Sequence, residues 1–225
     1  VLFCQVAQPV NIGEYRVENE YVLEPCDVDA EVRELLKDFK GNLFQKATIE
    51  VGMHWFTPQV YIDAAREVMG DIDVDPATTE RVQKRIKAKV YHTDTKEKDA
   101  FKFHWYGRMM LCPPYKEGLI DKFFYKVIDE YKLGNLTEGI ICTHMEDSGA
   151  IYFQDIFSFC NAFCLHRGHI KWWKGHYPEE VAMKKLGIEW HPGGYSKHYS
   201  CFLYFGPNKD KFIQTFLNFG VTYGK

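Results

Sequence analysis

Segments that read alternately as apolar strands and amphipathic helices run through most of this chain, and this alternation constrains the fold more than any other feature. Helices are predicted at residues 58–69, 79–87, 118–131, 150–157 and 210–219, and strands at residues 71–75, 88–92, 108–111, 138–143, 159–165, 170–173, 200–205 and 221–223. Strands that alternate with helices favour a mostly parallel sheet covered on both faces. We therefore predict an α/β fold, in which ligands bind beyond the carboxyl ends of the strands.

The composition supports a globular domain and limits its partners. Hydrophobic residues make up 46% of the 225 residues, which is enough for a core. The formal net charge of −3 does not suit a protein that holds DNA by charge alone, so a nucleic-acid surface has to be local or supplied by another chain.

Cysteine usage and hydropathy indicate the compartment. The seven cysteines are scattered and odd in number, which favours free thiols in a reducing environment. No run of 18 apolar residues and no signal peptide is visible, so no contact with a membrane is predicted. We expect an intracellular protein, located in the cytoplasm of a bacterium or a phage-infected host, or in a eukaryotic nucleus.

The chain divides into two parts at about residue 50. Residues 1–50 are predicted to form an N-terminal arm or small subdomain, with a helix over residues 27–39 that begins at an aspartate. This arm is a candidate surface for a protein partner. Residues 51–225 carry the alternating pattern and form the predicted main domain.

The sharpest local motif is Cys112-Pro113-Pro114-Tyr115, which directly follows an apolar strand. Two prolines fix φ and remove two backbone donors, so nearby carbonyl groups can be left facing a cleft. Tyr115 can offer a flat face to a ring. This arrangement suits a base that is held through its amino group and by stacking. The alternative interpretation is a rigid turn with a packed tyrosine.

Two further motifs precede this turn. Trp55-Phe56-Thr57-Pro58 has a proline directly after a threonine, which is typical of a helix start. Asp73-Val74-Asp75-Pro76-Ala77-Thr78 is an acidic strand end that runs into a turn. An exposed carboxylate there could hold the amino group of a methionine-type ligand. The alternative interpretation is that Asp75 caps the following helix.

The order of the three motifs, W-x-T-P, then D-P-A-T after a strand, then x-P-P-Y after a later strand, resembles the phage-type DNA N6-adenine methyltransferase (Dam) family. The similarity extends over residues 51–225 and includes residues 88–111, 139–145, 167–173 and 201–206. It implies a Rossmann-like S-adenosylmethionine methyltransferase that methylates an exocyclic amino group of a base. Adenine N6 in DNA is the first expectation, with DNA favoured over RNA, and cytosine N4 would use the same geometry.

The resemblance also implies a role for individual residues. S-adenosylmethionine would be bound by Trp55, Thr57, Pro58, Asp75, Pro76 and Ala77, with Asp94 as a candidate for the ribose. The catalytic turn would consist of Cys112, Pro113, Pro114 and Tyr115. The carbonyl group of Pro113 is the expected second acceptor for the target amino group.

The chain departs from the family at Cys112, where the family usually has Asn, Asp or Ser. That residue accepts a hydrogen bond from the target amino group, and a neutral thiol is a weak acceptor. Three alternatives follow: slow catalysis through Pro113, a different methyl acceptor, or a weakened relative that binds nucleic acid or a partner protein. Covalent attack by the thiol, as in cytosine C5 methylation, is disfavoured because there the cysteine follows the proline.

A basic and aromatic segment is the candidate nucleic-acid surface. It consists of Arg167, Lys171, Trp172 and Lys174, whose alternation suits contact with the backbone and stacking on bases. The alternative interpretation is a strand whose aromatic residues belong to the core. Residues 191–198 are predicted to form a flexible loop that could cover the cleft.

No metal site is predicted. Cys160, Cys164, His166 and His169 have the spacing C-x3-C-x-H-x2-H, which is not that of a standard zinc finger. The two cysteines fall on the predicted strand 159–165, where alternate side chains point to opposite faces.

Overall fold

A computed structural model describes residues 54–93, 95–115, 118–175, 192–195 and 197–225. The predicted arm of residues 1–50, its helix and the ribose candidate Asp94 lie outside the described residues. The side chains of Trp55 and Lys174 are also outside the description, although the backbone of both residues lies in strands.

Strands and helices alternate along the described residues, as the sequence pattern predicts. The α-helices are α1 (Gln59–Met69), α2 (Glu80–Ile86), α3 (Ile120–Lys132), α4 (Ile151–Phe159) and α5 (Lys209–Phe216). The strands are β1 (His54–Phe56), β2 (Val74–Asp75), β3 (Val90–Tyr91), β4 (Gly107–Leu111), β5 (Leu136–His144), β6 (Ala162–His166), β7 (Lys171–Gly175), β8 (Pro192–Tyr195), β9 (Ser200–Phe205) and β10 (Gly220–Gly224). The five helices predicted for residues 51–225 are confirmed, with ends that differ by a few residues at most.

Seven strands form one sheet in the order β10-β6-β9-β5-β4-β2-β3. The pairs β3–β2, β2–β4 and β4–β5 are parallel, whereas the pairs β5–β9, β9–β6 and β6–β10 are antiparallel. The α/β prediction is confirmed, but the sheet is mixed rather than mostly parallel.

The mixed character has a topological cause. Strands β5 and β6 are joined through α4 and run in the same direction, and the same holds for β9 and β10, which are joined through α5. These two units run in opposite directions and interleave, so that β9 lies between β5 and β6, and β6 lies between β9 and β10. Each helix-linked pair therefore obeys the expected parallel rule, while its neighbours in the sheet are antiparallel.

The strands bury side chains on both faces. Alternate residues of the central strands, such as Met110, Ile140 and Phe202, belong to a core cluster with α1 and α5. The residues between them, such as Met109 and Ile141, pack with α3 and α4. This period of two is the expected geometry of a sheet between two helical layers.

A second, three-stranded sheet has the order β1-β7-β8, with both pairs antiparallel. The prediction of a loop over residues 191–198 is therefore wrong for Pro192–Tyr195, which pairs with β7. Two glycines and a proline lower the strand propensity of this segment, and pairing with β7 overrides that propensity. Among the described residues, no helix is both long and apolar enough to cross a membrane.

Candidate functional site

Strands β2 and β4 are parallel neighbours, with Val74 opposite Met109. The chain runs from β2 to β3 on one side and then returns to β4 on the other side of β2. The space between β2 and β4 is therefore a topological switch point, where open α/β sheets bind ligands. Both predicted turns, 75–77 after β2 and 112–115 after β4, leave the sheet at this carboxyl edge.

The carboxyl group of Asp75 lies inside the first turn rather than at its surface. Its side chain is 2% exposed, and its oxygens accept hydrogen bonds from Ala77 N at 3.3 Å and from Gln83 Nε2 at 2.7 Å. Burial raises the pKa of Asp75 to about 7, against the opposing effect of its hydrogen bonds. The expectation of an exposed carboxylate is therefore wrong, because the side chain folds back to satisfy the buried turn.

The alternative expectation, that Asp75 caps the next helix, is also wrong. The N-cap of α2 is Thr79, whose Oγ1 accepts a hydrogen bond from Val82 N at 3.3 Å. Asp75 instead stabilises the turn through Gln83, which lies within α2. The Asp75 carboxyl group therefore links the turn 75–77 to helix α2.

Thr57 and Pro58 are both buried and lead into α1. Pro58, predicted as the first helical residue, occupies the N-cap position, so the helix begins one residue later, at Gln59. Arg85 of α2 donates from Nη1 to Thr57 O at 3.4 Å and from Nε to Gln59 Oε1 at 3.2 Å. Helix α2, which follows the Asp75 turn, thus contacts the segment that carries Thr57 and Pro58. In the turn itself, Pro76 is buried and Ala77 is half-buried.

The second turn begins with a cysteine that faces the core. Cys112 is half-buried and packs against the cluster that contains Cys142 of β5. The neighbouring thiol of Cys112, together with burial, raises the pKa of Cys142. Pro113 is buried, whereas Pro114 is exposed. The thiol of Cys112 is therefore engaged with a neighbouring strand.

The ring of Tyr115 stacks on another aromatic side chain of the protein. Its ring lies on the imidazole of His144, with 3.4 Å between the ring centroids and 4° between the planes. The side chain as a whole is 41% exposed, while burial around the hydroxyl group raises the pKa of Tyr115. One ring face is thus covered by the end of β5, and stacking on a base would have to use the other face.

A group that the sequence interpretation missed lies beside this turn. His144 also stacks on His198, at 4.5 Å and 20°, and His198 Nδ1 lies 3.7 Å from Glu146 Oε1. Burial and the nearby His198 lower the pKa of His144 to about 4. The H-x-E pattern of residues 144–146 was the available signal, but its partner lies about fifty residues further along the chain.

The three side chains His144, Glu146 and His198 offer ligand atoms within 4.8 Å of one another. In the part of the chain that the structure describes, no other group of three or more such residues comes as close. Cys160, Cys164, His166 and His169 are not brought together, and the Nε2 atom of His166 is hydrogen-bonded to Tyr61 at 2.7 Å.

The candidate nucleic-acid residues that the structure describes are not all at the surface. Trp172 is 6% exposed and belongs to the core cluster with α1, so its predicted role in stacking on bases is wrong. The alternation of the strand turns this ring inward, while Lys171 is exposed. Arg167 is also exposed and lines an open groove of about 500 Å³ beyond the end of β6. The backbone of Lys174 pairs with Trp55 in the small sheet.

The amino end of β2 has a different electrostatic environment. Asp73 accepts from Arg108 Nε at 2.6 Å, from Arg108 Nη2 at 3.0 Å and from Lys89 Nζ at 2.6 Å. These contacts, led by Arg108, hold the pKa of Asp73 well below its usual range. Gly107 has a φ of 78°, and a Cβ atom there would lie 2.6 Å from Asp73 Oδ2. Glycine therefore permits the close approach of β4 to this carboxylate.

Comparison with known proteins assigns no family, since neither a protein-family model nor a curated protein sequence matches the chain.

Proposed function

We propose that this protein is a Rossmann-like S-adenosylmethionine methyltransferase that acts on an exocyclic amino group of a base, with adenine N6 in DNA as the first candidate. The observation that carries the proposal is the parallel pairing of β2 with β4, with Val74 opposite Met109. Because of it, the turns 75–77 and 112–115 share the carboxyl edge at the switch point of the parallel half of the sheet.

The methyl donor would bind against the first turn. The turn 75–77, together with Thr57 and Pro58, would contact the methionine part of S-adenosylmethionine. Asp75 has a pKa raised to about 7, so the approach of the ligand's ammonium group would favour its ionised form. Because both of its oxygens already accept hydrogen bonds inside the turn, Asp75 would act on the ammonium group through its negative charge rather than by a direct hydrogen bond. Binding would therefore be coupled to the loss of a proton from Asp75.

The methyl acceptor would bind at the second turn. A flipped base would lie on the free face of Tyr115, with its amino group near Cys112 and the carbonyl group of Pro113. Two acceptors would pull the amino nitrogen toward a tetrahedral shape and aim its lone pair at the methyl group. The thiol of Cys112 is a weak acceptor, so Pro113 would carry most of this task.

A second candidate function is favoured by the surroundings of the same turn. Cys112 interacts with the thiol of Cys142, and one face of Tyr115 is covered by His144. These contacts fit a catalytically weakened relative that keeps the fold and binds nucleic acid or a partner protein. Arg167 and Lys171 would then serve as exposed cationic contacts for phosphates.

We also propose an intracellular location. The described cysteines 112, 142, 160, 164 and 201 are all free thiols, which fits a reducing compartment.

The test is the transfer of a tritiated methyl group to unmodified DNA and RNA by the wild type and by Cys112→Asn. We expect wild-type activity on DNA, and an increase of about tenfold to a hundredfold in the variant, because an amide oxygen is the better acceptor. Cys112→Ala is the matched control, since it removes the thiol without adding an acceptor. Activity in none of the three proteins, with S-adenosylmethionine still bound, would favour the weakened relative.

A further inference from the structure

We propose that His144, Glu146 and His198 bind a divalent transition-metal ion of the Zn²⁺ type, at the end of the ladder between β5 and β9. The ligand atoms of these three side chains lie within 4.8 Å of one another. This inference does not depend on the proposed methyltransferase activity, because the three residues belong to neither the 75–77 turn nor the 112–115 turn.

The register of the two strands explains why these residues meet. His144 is opposite Ser200, and a further hydrogen bond joins Met145 N to Tyr199 O at 2.8 Å. Beyond this pair the strand ends, because Met145 has helical φ and ψ and Glu146 begins a 3-10 turn over Glu146–Gly149. The three side chains therefore meet where the end of β5 and the turn after it lie beside the segment that leads into β9.

The donor set is that of a transition-metal site. Two imidazoles and one carboxylate suit Zn²⁺ and its neighbours, whereas Ca²⁺ and Mg²⁺ prefer oxygen ligands alone. In a tetrahedral zinc site with bonds near 2.1 Å, ligand atoms lie about 3.4 Å apart. His198 Nδ1 and Glu146 Oε1 are already 3.7 Å apart, and both side chains are exposed and able to adjust.

Ligation requires one change in the described arrangement. The rings of His144 and His198 are stacked at 4.5 Å, so at least one of them has to rotate before both nitrogens face one ion. We expect His198 to rotate, because its side chain is 54% exposed, whereas the ring of His144 lies between those of Tyr115 and His198. Three protein ligands leave at least one coordination position for water or for a donor atom of another molecule.

Neighbouring groups orient the proposed ligands. Glu146 Oε1 accepts a hydrogen bond from Tyr199 N at 2.9 Å, and the carbonyl oxygen of His198 lies 3.4 Å from His169 Nδ1. Outer contacts of this kind fix ligand orientation in metal sites. An ion bound here would clamp the loop after β5 to the loop before β9, and would hold the ring on which Tyr115 stacks.

The experiment is a calorimetric titration of the full, chelator-treated chain with Zn²⁺. We expect one strong site in the wild type, with an affinity that falls at least tenfold in Glu146→Gln and in His198→Asn. His104→Gln is the matched control, since this exposed histidine contacts Glu130 and lies before the amino end of β4. It should bind Zn²⁺ as the wild type does. The melting temperature should rise with Zn²⁺ only where the site is intact.

Co²⁺ identifies the ligands independently. Binding to the wild type should give visible d–d bands without a thiolate charge-transfer band, because nitrogen and oxygen atoms supply the ligands. A thiolate band would overturn the proposal in favour of a cysteine site. Unchanged Zn²⁺ affinity in both ligand variants, or no Zn²⁺ binding by the wild type, would also overturn it. Melting without metal distinguishes a lost site from a variant that does not fold.

Discussion

The two aspartates at the ends of strand β2 have opposite electrostatic environments. At the amino end, Asp73 is paired with Arg108 and Lys89, and its pKa is held well below the usual range. Two residues further on, Asp75 is bound by the amide groups of Ala77 and Gln83, and burial raises its pKa to about 7. Two aspartates only two positions apart therefore differ: the negative charge of Asp73 is satisfied by cations, whereas that of Asp75 is suppressed by burial.

This difference assigns a structural role to the amino end of β2 and leaves the carboxyl end as the candidate ligand site. At the amino end, the negative charge of Asp73 is neutralised by Arg108 and Lys89. These contacts hold β2 against β4 and leave no unpaired charge on Asp73 for a ligand. The carboxyl end keeps an acid that is partly neutral near pH 7 and that gains from a cationic ligand. Titratable groups whose environments push their pKa values apart are frequent at functional sites. The contrast therefore favours the carboxyl edge as the ligand site.

The largest expected effect comes from breaking the amino end. Arg108→Met removes two hydrogen-bonded contacts from the partly buried Asp73 and leaves Lys89 as its cation. We expect the free energy of unfolding to fall by about 3 kcal/mol at neutral pH, at the low end for a buried pair because both groups are partly exposed. Chemical denaturation measures the change.

The pH dependence of this loss is a second readout of the same variant. The pKa of Asp73 is lowered in the folded state, so its contribution is present above the unfolded value and is lost as the pH falls. The gap between wild type and Arg108→Met should therefore narrow in acid. Arg167→Met, at an exposed arginine, should change stability by less than about 0.5 kcal/mol. A gap that is independent of pH would mean that Asp73 does not carry the effect.

A smaller effect with the opposite pH dependence is expected at the carboxyl end. The pKa of Asp75 is raised to about 7 in the folded state, so wild-type stability should decline as the pH rises from about 4 toward 7. Asp75→Asn cannot ionise and lacks this decline. From about pH 5 to about pH 8, the unfolding free energy of Asp75→Asn relative to that of the wild type should therefore rise by about 2 kcal/mol. A constant difference would contradict the burial of an ionisable group there.

Local patterns predicted the parts of the site that depend on neighbouring residues in the chain. The helix starts, the strand ends and the two proline-containing turns follow from periodicity and proline chemistry, and the common edge followed from the α/β rule. What failed depends on contacts between a motif and residues outside it. The inward position of Asp75 requires the amide of Gln83, and the burial of Trp172 requires the face of its strand to be known.

The same limit explains the mixed sheet and the histidine group. No local pattern indicates that the unit β5-α4-β6 interleaves with the unit β9-α5-β10. The antiparallel direction of the strands in this half of the sheet could therefore not be predicted from the sequence. His144 and Glu146 meet His198 because the end of β5 and the turn after it lie beside the segment that leads into β9. Pairing over such separations is decided by the burial of whole strand faces rather than by any short motif.

Calorimetric titration with S-adenosylmethionine, on the wild type and on two isosteric variants of the same strand, tests the central claim most directly. The account predicts saturable binding by the wild type, at least tenfold weaker binding by Asp75→Asn, and unchanged binding by a folded Asp73→Asn. Thermal melting confirms that each variant is folded. No binding by the wild type, or equal losses in the two variants, would contradict a ligand site at the carboxyl ends of β2 and β4.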